Sequence, residues 1–454
     1  MSFPCYAEYK DSGVEWLGEV PGHWEVHSLK RRFLIVGGST PKSDIGTLWD
    51  GNIVWVTPAD ISQISSFLIR DSQRKISAEG LASCGTSLVP AGSILLSIRA
   101  PIGSLAIAET ELCTNQGCKA ILPNVDSSSW FYSYFLSIAT GELNIRGKGT
   151  TFLELSTDAL GAFPVGFPPL FEQSTIAAFL DSETGKIDAL VAEQKKLIVL
   201  LKEKRQAVIS HAVTKGLDMT ASMKASDIEW LGQVPDHWSV KRLRFVVYLN
   251  PSKVEVRDLG LDSEISFLPM EAIGDDGILD VSRVRLFKEV EVGYTYFREG
   301  DVTIAKITPC FENGKGAVML GLIGSIGFGT TELIVARPRS AEIINSYLHW
   351  LFISSPFRKL GEAAMYGAGG QKRVPDDFVR NFATAFPPLA EQSTITAFLD
   401  QETSKLDALV TEAQRAIDLL KERRSALISA AVTGKIDVRQ FVKQAQPSAE
   451  LVPA

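Results

Sequence analysis

The sequence predicts a mixed α/β (α+β) protein built as a pseudo-two-fold tandem repeat, two globular regions alternating with two long helices that pair antiparallel within the chain. The repeated segments lead there first. FPPLFEQSTIAAFLDSETGKIDALV at 167–191 returns as FPPLAEQSTITAFLDQETSKLDALV at 386–410, and 167–214 agrees with 386–433 at 33 of 48 positions. A second repeated element precedes each copy, SGVEWLGEVPGHW at 12–24 and SDIEWLGQVPDHW at 226–238. Between these elements, short apolar runs are broken by Pro and Gly, the pattern of strands and turns.

A chain of 454 residues is too long for one ordinary core. In the first globular region GNIVWVTPADI and GSILLSIRAPIGSLAIAE read as strands, and SWFYSYFLSI as a helix. In the second, GDVTIAKITPCFENGKGAVML and ELIVAR read as strands and INSYLHWLF as the matching helix. Each helical block opens at a Pro-Pro pair, with a short amphipathic helix expected over 172–181 and a longer one after it. Apolar residues then recur at three- and four-residue spacing: Ile187, Leu190, Val191, Leu197, Leu201 and Val208 in the first copy, Leu406, Leu409, Val410, Ile417, Leu420 and Leu427 in the second. A polar helix of about 30 residues, roughly 45 Å long, needs a partner for so narrow a stripe. The repeat supplies one, against the alternative of each helix lying on a globular core. The expected boundaries are 1–166 and 217–385 for the globular regions, 167–216 and 386–440 for the helical blocks, and 441–454 for a flexible tail.

Hydrophobic content of 45% and charged content of 22% are those of a soluble globular protein. No apolar run approaches the roughly 20 residues of a membrane span, and no leader pattern opens the chain, so a cytoplasmic protein without membrane contact is expected. Five dispersed cysteines suit a reducing compartment, and Cys113 with Cys118 lacks a second pair to complete a metal site. FPPL has Phe where amino-methyltransferases carry the residue that bonds the target amino group. RGKGTT at 146–151 has the wrong glycine spacing for a phosphate loop, and GSIGFG at 324–329 the wrong spacing for a dinucleotide turn. His23 and His237 occupy equivalent places beside Trp24 and Trp238, where packing or capping accounts for them. A non-catalytic chain without metal or cofactor is expected. Net charge of −7 argues against nucleic acid unless basic groups are local or partners supply the phosphate contacts.

Glu15-Trp16-Leu17-Gly18 and Glu229-Trp230-Leu231-Gly232, Pro168-Pro169 with Glu172-Gln173, Pro387-Pro388 with Glu391-Gln392, and Ala212-Val213-Thr214 with Ala431-Val432-Thr433-Gly434, in that repeated order, resemble the specificity subunit of type I restriction-modification enzymes. The first copy departs at Lys215, with its glycine one place later. The resemblance implies two target recognition domains, each reading half of a split sequence in double-stranded DNA, and helices that form an antiparallel coiled coil. It also implies partners: two methyltransferase (M) subunits and restriction/translocase (R) subunits, to which S-adenosylmethionine, ATP and Mg²⁺ belong. A coiled-coil scaffold that does not read DNA, or a restriction enzyme fragment that has lost its catalytic domains, are the other readings of the same segments.

Base edges are read by Arg, Lys, Asn and Gln, with Ser and Thr adding phosphate contacts. The Gly-rich loops at 146–151 and 367–373 stand at equivalent places with different polar content: Arg146, Lys148, Thr150 and Thr151 against Gln371, Lys372 and Arg373. Arg99, Asn115 and Gln116 in the first region, and Lys306, Asn313, Lys315 and Thr330 in the second, complete the candidate DNA-contacting set.

Overall fold

A computed structural model describes residues 3–64, 66–99, 101–148, 153–275, 277–368 and 370–441. The expected tail, apart from Phe441, lies outside the described residues. The chain forms two compact units, Met1–Glu193 with Ala416–Ala454, and Gln194–Arg415. Cohesion therefore divides inside the two long helices, and each unit holds one globular region, the first half of one helix and the second half of the other.

In the first unit, a five-stranded sheet runs in the order Leu34–Gly37, Cys118–Leu122, Ile94–Ser97, Leu105–Ala108, Leu68–Ile69. Its first four strands are antiparallel neighbours, and Leu68–Ile69 joins in parallel. Beside it, Trp49–Val56 pairs with Cys113–Thr114 and Lys75–Ile76. The helix Ser129–Ile138 buries Phe131, Tyr132, Phe135 and Leu136 in a core shared with Ile94, Leu96 and Ile121 of the sheet.

The second unit builds two four-stranded sheets. One has the order Val247–Leu249, Leu333–Pro338, Val302–Ala305, Gly316–Val318; the other Val284–Leu286, Glu264–Leu268, Ile326–Gly329, Thr295–Arg298. Asn345–Ile353, the counterpart of the first unit's helix, buries Tyr347, Leu348, Leu351 and Phe352.

Each helical block is one uninterrupted helix, Leu170–Lys215 (46 residues) and Leu389–Val432 (44 residues). The expected division into a short and a long helix does not occur. Gly185 costs about 1 kcal/mol relative to Ala inside a helix. The buried Leu180, Thr184 and Ile187 around it hold the turn against that cost. At 1.5 Å per residue the first helix is about 69 Å long rather than about 45 Å.

The buried stripe also differs from the expected one. Side chains withdrawn from solvent follow an alternating three-four spacing: Leu180, Thr184, Ile187 and Val191 in the first unit, then Gln194, Ile198, Leu201, Arg205 and Val208 in the second. The other helix repeats it with Leu399, Thr403, Leu406, Val410 and Ala413 in the second unit, then Ile417, Leu420, Arg424 and Leu427 in the first. Leu190, Leu197 and Leu409 are 51%, 42% and 53% exposed, a correction to their assignment to the seam. Each stands one residue before a seam position, about 100° around the helix. The antiparallel pairing is fixed by equivalent ion pairs, Arg424 Nε to Asp188 Oδ1 (3.0 Å) in the first unit and Arg205 Nε to Asp407 Oδ1 (3.0 Å) in the second.

The repeated Glu-Gln pair staples each globular region to its helix. Glu172, fully buried, accepts from Trp24 Nε1 (3.0 Å), bonds His23 Nε2 (2.8 Å) and takes the hydroxyl of Tyr6. Glu391 accepts from Trp238 Nε1 (3.0 Å) and bonds His237 Nε2 (2.6 Å). Gln173 bonds the backbone at Ser128, Asp126 and Pro168, and Gln392 does the same at Ile344, Glu342 and Pro387. In the first unit the two ends of the described chain also meet. Asp437 N donates to Pro4 O (2.7 Å), and the Arg439 guanidinium lies 4.8 Å over the Tyr6 ring.

Among the described residues no helix is long and apolar enough to cross a membrane, and no cluster of His, Cys, Asp or Glu is placed to hold a metal ion.

Candidate nucleic-acid interface

Backbone pairing brings most of the candidate residues of each unit to one rim of its sheet. In the first unit Ile98 N donates to Gly117 O (2.9 Å) and Leu155 N to Ile98 O (2.9 Å), which sets Arg99 beside the turn carrying Asn115 and Gln116. Arg99 and Lys148 both bridge to Glu154. The Arg99 Nε donates to Glu154 Oε2 at 3.1 Å. Asn115 Oδ1 accepts from Gly117 N (2.9 Å), closing the turn, and Gln116 accepts from the Thr40 hydroxyl. Thr150 and Thr151 lie outside the described residues.

Arg146 does not belong to this rim. It ends the helix Thr140–Arg146 and lays its guanidinium 4.7 Å from the Phe163 ring centroid, with Nη1 buried. Its place in the candidate set is corrected to one of packing.

The second unit repeats the same backbone pairings. Lys306 N donates to Glu332 O (2.8 Å) and Val374 N to Lys306 O (2.8 Å), while Ile307 and Tyr366 bridge to Arg373. Superposing these pairings makes Gly117 equivalent to Glu332, Arg99 to Ile307, Lys148 to Tyr366 and Glu154 to Arg373. The rim ion pair is thereby rearranged, with arginine at the glutamate's place and the acid at the place of Gly117. Arg99 reaches inward to Glu154 in one unit; in the other, Arg373 stands at the glutamate's place and grips Glu332 with two bonds of 2.7 and 2.9 Å. That guanidinium holds the Glu332 carboxyl below its ordinary range. Lys372 sends its backbone carbonyl to Thr308 N (3.0 Å) and leaves its side chain exposed. Gln371 sits in the turn at Gly367, whose φ of +130° and 2.6 Å Cβ approach to Gln371 O exclude other residues. Asn313 and Lys315 belong to the loop before Gly316–Val318, held by Asn313 N to Pro309 O (3.0 Å) and Lys315 N to Cys310 O (2.9 Å). Thr330 caps the turn, accepting from Glu332 N (3.2 Å).

Sequence reasoning missed Glu154 and Glu332, the acceptors around which both rims are built. Their signal was a difference in charge at equivalent positions of the two halves, visible only after the strands are paired.

Two rims built by the same backbone pairings on a duplicated frame define a chain of two like modules, and comparison with known proteins shows what those modules resemble. Residues 21–198 match the type I restriction modification DNA specificity domain. The chain is 44% identical over 188 residues to the EcoAI specificity subunit of Escherichia coli, 41% of this chain and 31% of that protein. It is 39% identical over 210 residues to the EcoEI specificity subunit of Escherichia coli, 46% of this chain and 34% of that protein. To the MjaIX specificity subunit of Methanocaldococcus jannaschii it is 30% identical over 245 residues, 54% of this chain and 55% of that protein. The chain thus spans from about a third to about half the length of these relatives. Its fold is similar to that of the HsdS subunit of Thermoanaerobacter tengcongensis, with a TM-score of 0.55 at 18% identity over 92% of this chain and 98% of that one. A chain from a structure describing complex assembly and conformational transition of the type I R-M system gives 0.65 at 17% identity, over 91% and 98%. In sequence over part of its length, and in fold over most of it, the chain is similar to type I restriction-modification specificity subunits.

Proposed function

We propose that the chain is the DNA sequence-specificity subunit of a type I restriction-modification complex, each rim reading one half of a split target in double-stranded DNA. The rearranged rim carries this reading. The same backbone presents Arg99, Lys148 and Glu154 in one unit and Lys306, Glu332 and Arg373 in the other, so two different base sequences would be met by one architecture. A scaffold that only holds partners together has no need of two differently charged rims.

The helices support recruitment. Leu190 and Leu200, with their repeats Leu409 and Leu419, are all more than half exposed, so both copies offer the same apolar flank to two identical partners, here methyltransferase subunits. Restriction/translocase subunits would complete the assembly. S-adenosylmethionine, ATP and Mg²⁺ would act in those partners, and this chain would contribute recognition without catalysis, in the cytoplasm. The test is domain exchange. Replacing 25–163 with the corresponding region of a relative is expected to change one half of the methylated sequence, mapped in vivo. A change in both halves would refute the modular reading.

A further inference from the structure

We propose that an arginine-lined cleft in the second unit binds phosphate oxygens of the duplex backbone beside the half-site that this unit reads. The proposal rests on the specificity-subunit reading. The cleft, about 590 Å³, lies along the edge strand Val247–Leu249 and is lined by Arg244, Arg298, Arg337, Arg339 and Arg380.

Two of these arginines are already neutralised. Arg337 donates to both oxygens of Asp301 (2.7 and 2.9 Å) and pairs with Glu255, which also takes Arg298 Nη1 at 2.6 Å. Among the described residues Arg244, Arg339 and Arg380 have no ion pair, which leaves three cationic groups in excess in the lining. Arg244 is held by Asn381 Oδ1 (3.2 Å) and the Phe245 ring (5.0 Å), and Arg339 by the Tyr248 ring (4.2 Å). Arg339 Nε is buried with no acceptor among the described residues. Guanidiniums fixed on ring faces in this way keep their donor forks oriented for an oxyanion at little further cost in side-chain entropy.

The first unit lacks the feature. Leu29 N to Phe163 O and Leu243 N to Phe382 O are equivalent bonds, as are the strand pairs Leu34–Leu122 and Tyr248–Arg337. Arg244, Arg337, Arg339 and Arg380 thus correspond to Lys30, Leu122, Asn124 and Gly161. A partner that docks on the repeated helices would meet its site twice; this cleft occurs once, so its ligand distinguishes the halves as a DNA target does. A free nucleotide fits less well, because arginines already cover the Phe245 and Tyr248 rings on which a base would stack. Arg337 lies five residues along its strand from Glu332, about 17 Å or roughly half a duplex turn, which places the contacted phosphates outside the bases read at the rim.

The experiment compares wild-type complex, purified with its partner subunits, with an Arg339→Gln/Arg380→Gln variant on a duplex containing the mapped target. Affinity is measured across salt concentrations. Each lost phosphate contact lowers the log–log salt slope by about 0.9, so a reduction of about 2 is expected with the methylated sequence unchanged, and an Arg339→Lys/Arg380→Lys variant should restore the slope. Unchanged slope and affinity in a folded variant that still methylates selectively would overturn the cleft while leaving the function intact. ATP bound by the wild-type chain, lost in the Gln variant with no change in slope, would overturn the duplex as ligand in favour of a free nucleotide. A wild-type complex without sequence selectivity would refute the function and the cleft with it.

Discussion

Replacing Glu172 by Ala should destabilise the first unit far more than Glu391→Ala destabilises the second, although the two glutamates are repeats of one another. Glu172 is fully buried and serves three donors, whereas Glu391 keeps about 30% of its side chain in water and serves two. Hydrogen bonds to a charged group contribute about 1.5–3 kcal/mol each, and a buried donor left unpaired costs about 1–3 kcal/mol. Trp24 Nε1 and the Tyr6 hydroxyl would be stranded in the first unit, giving a loss of about 3–5 kcal/mol. Water can reach His237, 51% exposed, in the second unit, so about 1–2 kcal/mol is expected there. Native-state hydrogen exchange separates the two, reporting on Ser129–Ile138 in one unit and Asn345–Ile353 in the other. A loss of 3–5 kcal/mol lowers protection by about two to three and a half orders of magnitude. Equal losses in the two variants, or a larger one for Glu391→Ala, would refute the assignment of Glu172 as the buried hub.

The seam predicts that Leu406→Ala, at a buried position, costs about 2–4 kcal/mol in denaturant titration, while Leu409→Ala, three residues on, changes stability by less than about 0.5 kcal/mol. At the second rim, Lys372→Ala should weaken DNA binding with an unaltered melting profile. Arg373→Ala should also loosen the loop, seen as increased exchange at Tyr366 and at 371–373, because it frees Glu332. Since the Arg373 pair lowers the Glu332 pKa, its contribution is present above the ordinary 4.5 and lost as pH falls below it, so the rim should loosen in acid. His349 is held neutral, chiefly by burial and then by Arg205, with its pKa pushed down to about 4. Its unfolded form titrates at 6.5, so stability is full above that value and falls by up to about 2 kcal/mol between pH 7 and 5; His349→Gln should flatten that slope in thermal melts.

The frame was legible because the repeat and the helical period are local properties. Strands at 94–97, 105–108, 302–305 and 333–338, and helices at 129–138 and 345–353, fall where alternation and spacing put them. The seam was legible only to within one residue. Leu190-Val191 and Leu409-Val410 offer two adjacent apolar side chains, and only the three-four continuation through the polar Gln194 and Arg205 selects the second. Nor could spacing show that Glu172 serves Trp24, 148 residues away, since tertiary pairing leaves no local trace. The rims were half legible: basic and amide residues stood out, but whether a carboxylate already holds an arginine depends on strand register. Arg373 and Arg99 are both so held, and Arg146 is spent on Phe163. The arginine cleft draws its residues from four separate stretches of chain and left no motif to find.

The division of the first unit between the two ends of the polypeptide has a consequence for biosynthesis. Residues through 193 emerge from the ribosome first, yet Leu427, Ile428, Ala431, Val432 and Val438, which complete their core, come more than 200 residues later. At about 5–20 residues per second, that interval is on the order of tens of seconds. The second unit, contiguous from Gln194 to Arg415, can close before the unit made ahead of it. Meanwhile Leu180 and Ile187 wait without their partners, and the nascent chain is most exposed to chaperones, proteases and wrong pairings just when most of it has already been made.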